Sequence, residues 1–259
     1  MWARYARATR RPARDACSVT AGARQASSTA RRPFRVSVEG NIGSGKSTLI
    51  KHFANFPDVD VQLEPVEAWR DVRGVNLLEL LYQDTSRWNT AFQSYVQLSR
   101  LRIQTRPTDR DIQMFERSLQ NNRFCFVEMA HDNGQLSHPE YVVLCEWYDW
   151  ISSHIDISLD LIVYLRCEPE VAHGRVLARG RPEERCLPLC YLRRLHEAHE
   201  RWLLGPGAPA PVLQLDAGPG QDYVRGLYER ILGAAARRTF YHCRRVESVR
   251  KQHYVTLCE

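Results

Sequence analysis

The run Gly40-Asn41-Ile42-Gly43-Ser44-Gly45-Lys46-Ser47-Thr48 holds the densest chemistry of this chain, because Gly40, Gly45, Lys46 and Ser47 fill the pattern G-x-x-x-x-G-K-[ST]. Glycines let successive backbone N–H groups turn inward around phosphate oxygens, and a helix opening behind them adds its N-terminal dipole. In such a loop the lysine reaches the β and γ oxygens and the hydroxyl ligates Mg2+. The chain has 36 Lys+Arg, and only Lys46, Lys51 and Lys251 among them are lysine. A compact ammonium therefore stands at the one position that wants a point charge. The reading is a site for a nucleoside triphosphate such as ATP, with a glycine-rich turn of no function as the alternative.

The motif leaves open what the phosphate is used for. No N-K-x-D guanine reader is present. Asp71-Val72-Arg73-Gly74 spells D-x-x-G, but no strand precedes it, so it reads as an ordinary turn. A motor ATPase would want larger or repeated domains. The core of this chain has the size of one α/β domain, which suits a small-molecule kinase.

A catalytic loop of this kind needs a strand before it and a helix after it, and residues 34–39 and 48–55 supply them. Further strands are expected at 59–63, 112–115, 159–165 and 212–215. In an open parallel sheet, functional groups gather at the carboxyl ends of the strands. The 59–63 strand ends in Glu64-Pro65, and proline fixes Glu64 in extended backbone. The 112–115 strand ends in Glu116-Arg117-Ser118. Each acid alone could be a surface salt-bridge member; two strand ends converging on a phosphate loop favour function. Arg175 and Arg179 share a helix face, and Arg181 and Glu184 follow. Clustered cations closing over a triphosphate can raise phosphoryl-transfer rates by roughly 10³–10⁵-fold; a solvated basic helix end is the bland alternative.

Composition bounds the rest. The chain has 259 residues, 44% hydrophobic and 25% charged, as an ordinary globular protein has. No apolar run approaches the ~18 residues of a membrane span, so no membrane partner is expected. The formal charge is +6, but residues 1–33 carry +7 and 237–259 carry +4, leaving 34–236 at −5. A duplex-binding face would need a basic stripe on the domain itself, so no nucleic-acid partner is expected either. Residues 1–33, rich in Arg, Ala and Ser and nearly free of acids, read as a mitochondrial transit peptide, and hence a matrix protein; a disordered basic arm is the alternative. Residues 34–236 form the catalytic domain. The tail 237–259 shows no clear period and reads as peripheral or disordered. The eight cysteines include no CxxC pair, so reduced thiols are expected rather than a zinc site.

The segments EGNIGSGKST, EPVEAW, FQSYVQL, ERS, EWYDWI, LIVYLR and the arginine-rich stretch through RPEE and PLCYL recur in this order in the deoxyribonucleoside kinases. From residue 34 to about 233 the chain resembles their mitochondrial thymidine kinase branch. The resemblance implies a P-loop kinase fold of the α/β class. A five-stranded parallel sheet would have helices on both faces and an Arg-rich lid, and the chain would assemble as a homodimer. It places residues 124–129, whose period is ambiguous, on a helix running from Ser118. It also implies ATP-dependent phosphorylation of the 5′-hydroxyl of a pyrimidine deoxyribonucleoside. Glu64 would be the general base and Arg117 would hold base and hydroxyl in place. Glu116 would join Ser47 at Mg2+, and Lys46, Arg175, Arg179 and Arg181 would stabilise the phosphates. Tyr82 and Glu184 would take the 3′-hydroxyl, Gln93 the pyrimidine edge, and Trp69, Phe92 and Phe126 the ring.

The match departs from the family at two positions. Gln93, Val96 and Arg100 share a helix face, and thymidine-phosphorylating members usually carry Met where this chain has Arg100. Asn122 stands where that branch has a small residue and the deoxycytidine branch an Asp. A buried unpaired Arg would cost several kcal/mol, so Arg100 must find a partner, and Asn122 offers only a neutral carbonyl. A long side chain there also fills the space of a thymine 5-methyl, which points to better use of deoxycytidine. Residues 216–222 are richer in Gly and Pro than an adenine-contacting loop should be. The competing readings are a nucleoside monophosphate kinase and a non-catalytic nucleotide-binding regulatory protein.

Overall fold

Strands buried on both faces of a parallel sheet read as near-continuous apolar runs, and the segment LIVYLR is one of them. The computed structural model describes residues 32–184, 187–218 and 231. The tail 237–259, nearly all of the expected leader and residues 219–222 lie outside the described residues. Five strands, β1 (Phe34–Gly40), β2 (Val59–Gln62), β3 (Ile112–Glu116), β4 (Leu161–Arg166) and β5 (Val212–Asp216), form one parallel sheet in the order β2-β3-β1-β4-β5. The helices are α1 (Lys46–Phe53), α2 (Val66–Arg70), α3 (Leu77–Gln83), α4 (Thr85–Gln104), α5 (Leu119–Asn121), α6 (Glu128–Asp132), α7 (His138–His154), α8 (Pro169–Arg179) and α9 (Leu189–Leu203). The expected five-stranded parallel sheet with helices on both faces is thus what the chain forms.

Alternation along the strands divides the core. Val36, Val38, Val163 and Leu165 pack on one face with Leu49, Ile50 and Phe53 of α1 and Ala172 of α8. Ile162 and Tyr164 turn to the other face, against Leu195, Ala198 and Trp202 of α9. A smaller cluster of Trp69, Leu77, Phe92 and Val96 ties α2, α3 and α4 together.

The boundaries differ from expectation by one or two residues, with physical causes. The first helix opens at Lys46, because its N-cap Gly45 is left-handed (φ 96°) and turns the loop directly into helix. The second strand stops at Gln62, not Leu63, and the Glu64 N–H is taken by the Glu116 side chain, Oε2, at 3.3 Å. Residues 119–132 are helical from the Ser118 cap, as the resemblance implied. A π-turn at Asn122–Val127, however, interrupts the α-helical ladder. The D-x-x-G segment is a tight turn closed by a Val72–Val75 bridge, with Gly74 N donating to Asp71 Oδ1 at 2.6 Å. Cys125, Cys145, Cys167 and Cys190 are free thiols. Among the described residues no helix is long and apolar enough to cross a membrane.

Gly43 joins the loop after β1 to α8. It sits at φ +81°, and a Cβ there would stand 2.4 Å from the Ala172 carbonyl oxygen. Gly43→Ala is expected to cost about 2 kcal/mol or more of stability and to abolish the rise in melting temperature on adding ATP, measured by thermal unfolding.

Candidate active site

Three glycines at positive φ, Gly40 (139°), Gly43 (81°) and Gly45 (96°), shape the loop between β1 and α1. Asn41 fastens it from behind, donating through Nδ2 to Leu192 O at 2.8 Å and accepting from Ile42 N at 2.9 Å. The Ser44 hydroxyl is buried without a hydrogen-bond partner among the described residues. Ile42, Gly43, Gly45, Lys46, Ser47 and Thr48 line a cavity of about 810 Å3. Lys46 Nζ donates to Asn41 O at 2.6 Å. Burial, followed by the nearby Arg117, lowers its ammonium to a pKa of about 7. An anion laid against it would reverse that shift. Ser47 Oγ donates to Glu116 Oε1 at 2.5 Å, pairing a hydroxyl and a carboxylate oxygen of the hard type that Mg2+ accepts.

At the end of β3, Arg117 adopts a left-handed backbone (φ 63°), an uncommon conformation for a residue with a Cβ. Its N–H donates to Val38 O at 3.1 Å. This bend turns the side chain toward Glu64, with Nε 3.4 Å from Glu64 Oε1. Arg100 approaches the same oxygen from α4, Nη2 to Oε1 at 2.7 Å. It also donates to Ser118 O at 3.0 Å and Asn121 Oδ1 at 3.3 Å. Arg100 therefore finds its partners in Glu64 and a backbone carbonyl, not in Asn122. Burial alone would raise the Glu64 carboxyl, but Arg117, Arg100 and Lys46 together outweigh it and hold the group below its ordinary value.

Beyond this ion cluster the cavity has an aromatic and amide lining. Trp69, Phe92 and Val96 form one wall, and Gln93, Asn122 and Phe126 another. The Trp69 indole is fixed by its N–H to Ser99 Oγ at 2.9 Å and meets Phe92 edge-on at 5.5 Å. Arg117 lies over the Phe126 ring at 4.9 Å. Gln93 Nε2 donates to Asn89 Oδ1 at 3.0 Å, and Gln93 Oε1 accepts from Asn122 Nδ2 at 2.6 Å. Asn122 Oδ1 is buried with no hydrogen-bond partner among the described residues.

The basic segment after β4 also borders the cavity, but its arginines are engaged with the protein. Arg179 pairs with Glu184 at 2.6 Å and Arg181 with the same carboxylate at 3.3 Å. Arg175 donates to the carbonyls of Ala217 at 2.8 Å and Gly218 at 3.2 Å. Arg175 and Arg179 do share a helix, yet they serve different partners. Tyr82 lines the cavity too.

The matched regions of known proteins cover this same site. A deoxynucleoside kinase family model matches residues 36–225, well over half of the chain. The chain belongs to the deoxynucleoside kinase family. It is 46% identical over 198 residues to mitochondrial thymidine kinase 2 of Homo sapiens, covering 75% of each chain. It is 45% identical to the Macaca fascicularis protein of the same name over 75% of each. It is 36% identical over 203 residues to deoxycytidine kinase of Rattus norvegicus, covering 69% of this chain and 78% of the relative. The chain is accordingly a deoxynucleoside kinase.

The kinase cavity thus gathers every position singled out in the sequence except Gly40, Asn41 and Ser44, which frame the loop from behind. Sequence reasoning missed several neighbours. Tyr191 of α9 lines the cavity, its phenol raised to about 12 by burial. Arg70 of α2 donates to Glu183 at 2.7 Å, joining α2 to the basic segment. Asn121, His199 and Glu39 are buried behind Arg117. One signal was available: His199 falls on the stripe Leu192, Leu195, His199, Trp202 of α9, a polar residue at a core position.

Proposed function

We propose that this kinase transfers the γ-phosphoryl group of ATP to the 5′-hydroxyl of pyrimidine deoxyribonucleosides (thymidine, deoxycytidine and deoxyuridine) in mitochondrial nucleotide salvage. The observation that carries this reading is the position of Glu64. Its carboxylate lies in the same cavity as the phosphate loop on one side and the slot of Gln93 and Phe126 on the other. A carboxylate suits a neutral hydroxyl acceptor and would repel the phosphate of a monophosphate. The matrix location is supported by the acid-poor, Arg-rich composition of residues 1–33 and by two relatives whose names say mitochondrial.

In the reaction Glu64 accepts the 5′-hydroxyl proton as that oxygen attacks phosphorus. Arg117 holds the carboxylate and the attacking oxygen together. The backbone N–H groups of the 40–48 loop and Lys46 cradle the triphosphate, and the pKa of Lys46 climbs as the anion arrives. Ser47 and Glu116 fit Mg2+, which when bound neutralises charge on the β and γ oxygens. Arg175, Arg179 and Arg181 form the lid. In the resting chain Glu184 keeps Arg179 and Arg181 within the cavity wall. Tyr82 and Glu184 recognise the 3′-hydroxyl, and Trp69, Phe92 and Phe126 enclose the ring.

Gln93 pairs with the base edge, and its amide is held between Asn89 and Asn122. Asn122 Oδ1, without a partner among the described residues, is an acceptor, and an acceptor suits the exocyclic amine of cytosine. Arg100 meanwhile occupies the space between the Trp69 and Phe126 rings, at 6.0 and 5.8 Å. Both features favour deoxycytidine over what the thymidine branch would show. Val143, Trp147 and Trp150 lie on one face of α7 and are 52%, 58% and 53% exposed. A second copy of the chain covers this face in a homodimer.

Phosphate transfer from ATP to thymidine, deoxycytidine, deoxyadenosine and deoxyguanosine should favour the pyrimidines. Glu64→Gln should reduce the rate by about 10²–10⁴-fold while ATP still binds. ATP binding with no transfer by the wild type would leave a regulatory protein instead. Arg100→Met should raise the thymidine-to-deoxycytidine kcat/KM ratio by about 10- to 200-fold. It also removes a cation that lowers the Glu64 pKa, so the acid limb of the rate profile should move to higher pH. Light scattering should give a mass of two chains for the wild type and of one for Trp147→Glu.

A further inference from the structure

Among the described residues, Glu39 and His199 are fully buried, titratable and without a part in the chemistry above, and both stand beside Arg117. Glu39 Oε1 accepts from the Ser118 N–H at 3.0 Å and the Ser118 hydroxyl at 2.7 Å, and so holds the backbone beside Arg117. His199 acts on the Arg117 side chain itself. Its Nδ1 lies 2.7 Å from Leu195 O, an atom that can only accept, so Nδ1 carries the ring proton. Nε2 is then bare, and two donors face it: Asn121 Nδ2 at 3.1 Å and Arg117 Nη1 at 3.4 Å. The Tyr164 ring lies parallel to the imidazole, its centroid 6.2 Å away. Burial, with the Arg117 charge next, keeps the ring neutral.

Arg117 has few other anchors. Its Nε lacks a hydrogen-bond partner among the described residues, and its contact with Glu64 is an ion pair at 3.4 Å. Its remaining hydrogen bond runs from Nη1 to Asn121 Oδ1 at 3.4 Å, and His199 orients that same amide. We propose that His199 is a positioning residue for phosphoryl transfer: its bare Nε2 fixes the Arg117 guanidinium against Glu64. A neutral acceptor is the fitting choice for this task. A carboxylate in its place would compete with Glu64 for the arginine charge, and an apolar ring would leave Nη1 with the Asn121 oxygen alone to orient it, while the Phe126 ring restrains only the plane of the guanidinium.

The inference rests on the kinase reading of the Glu64–Arg117 pair, and the full chain tests the two separately. His199→Gln keeps an acceptor within reach of Arg117, whereas His199→Asn keeps the Leu195 bond and falls short of Arg117. His199→Asn should lower kcat by about 10–100-fold with KM for ATP unchanged, and His199→Gln should recover most of the loss. In an Arg117→Lys background His199→Asn should have no further effect. Equal losses in the two His199 variants, or additive losses with Arg117→Lys, would overturn the proposal while the kinase stands. A wild type that transfers no phosphate would defeat both. Nitrogen NMR of the wild-type chain needs no variant: Nε2 should be unprotonated at pH 7, and a protonated Nε2 overturns the proposal.

Discussion

The site is organised around one carboxylate shared by two buried guanidiniums. Arg100 and Arg117 are 4% exposed each, and Glu64 Oε1 is within 2.7 Å of one and 3.4 Å of the other. Buried charges of one sign are tolerable only where an opposite charge and hydrogen bonds compensate them. This requirement explains much of the surrounding chain. It explains why Ser118 offers a carbonyl, why Asn121 presents its oxygen to both arginines, and why a neutral histidine stands behind them. It also explains the left-handed bend at Arg117, since an extended residue there would continue β3 and carry its side chain away from Glu64. Local strain of about 1–3 kcal/mol is tolerated at such positions when the surroundings over-determine them.

The sheet supplies the other half of the geometry. Parallel strands deliver all their carboxyl ends to one edge, so the phosphate loop after β1, Glu64 after β2 and Glu116-Arg117 after β3 become neighbours without long-range side-chain design. β1 lies between β3 and β4, which puts the loop at the centre of that edge. Gly43 then couples it to α8 through a contact that no side chain could share. The helix that carries Arg175 and Arg179 is thereby packed directly against the 40–48 loop.

This division explains what the sequence made legible. The phosphate loop could be read because its function lies in glycine stereochemistry and a fixed spacing, both local properties. Glu64 and Glu116 could be read because proline and strand endings place them by topology alone. The partners of Arg100 could not, since they come from two segments, residue 64 and residues 118–121, that only the tertiary fold brings to α4. The π-turn at 122–127 was equally hidden, because its residues have no distinguishing period. His199 lay within reach, as a polar residue on an apolar stripe, but that pattern alone does not say what the imidazole faces. The pairing of Arg179 and Arg181 with Glu184 was concealed by their shared charge, which suggested a common ligand rather than a common internal partner.

The two ends of the cavity differ in how they are built, and so in how they can change. The end at the 40–48 loop is made of backbone, two hard oxygen donors and one lysine, a construction that depends on glycine stereochemistry more than on exchangeable side chains. The base end is a chain of side-chain amides, Asn89 to Gln93 to Asn122, in which each group fixes the direction of the next. Reversing one amide reverses the pattern of donors and acceptors offered to the cavity, at a cost of a hydrogen bond or two, about 1 kcal/mol each. Relatives named for thymidine and for deoxycytidine both match this chain, so family membership names the class of reaction and leaves the nucleobase open. Asn122 and Arg100 both line the cavity, yet Asn122 bonds to Gln93 while Arg100 bonds to Glu64, so the amide chain and the ion cluster are built from separate contacts.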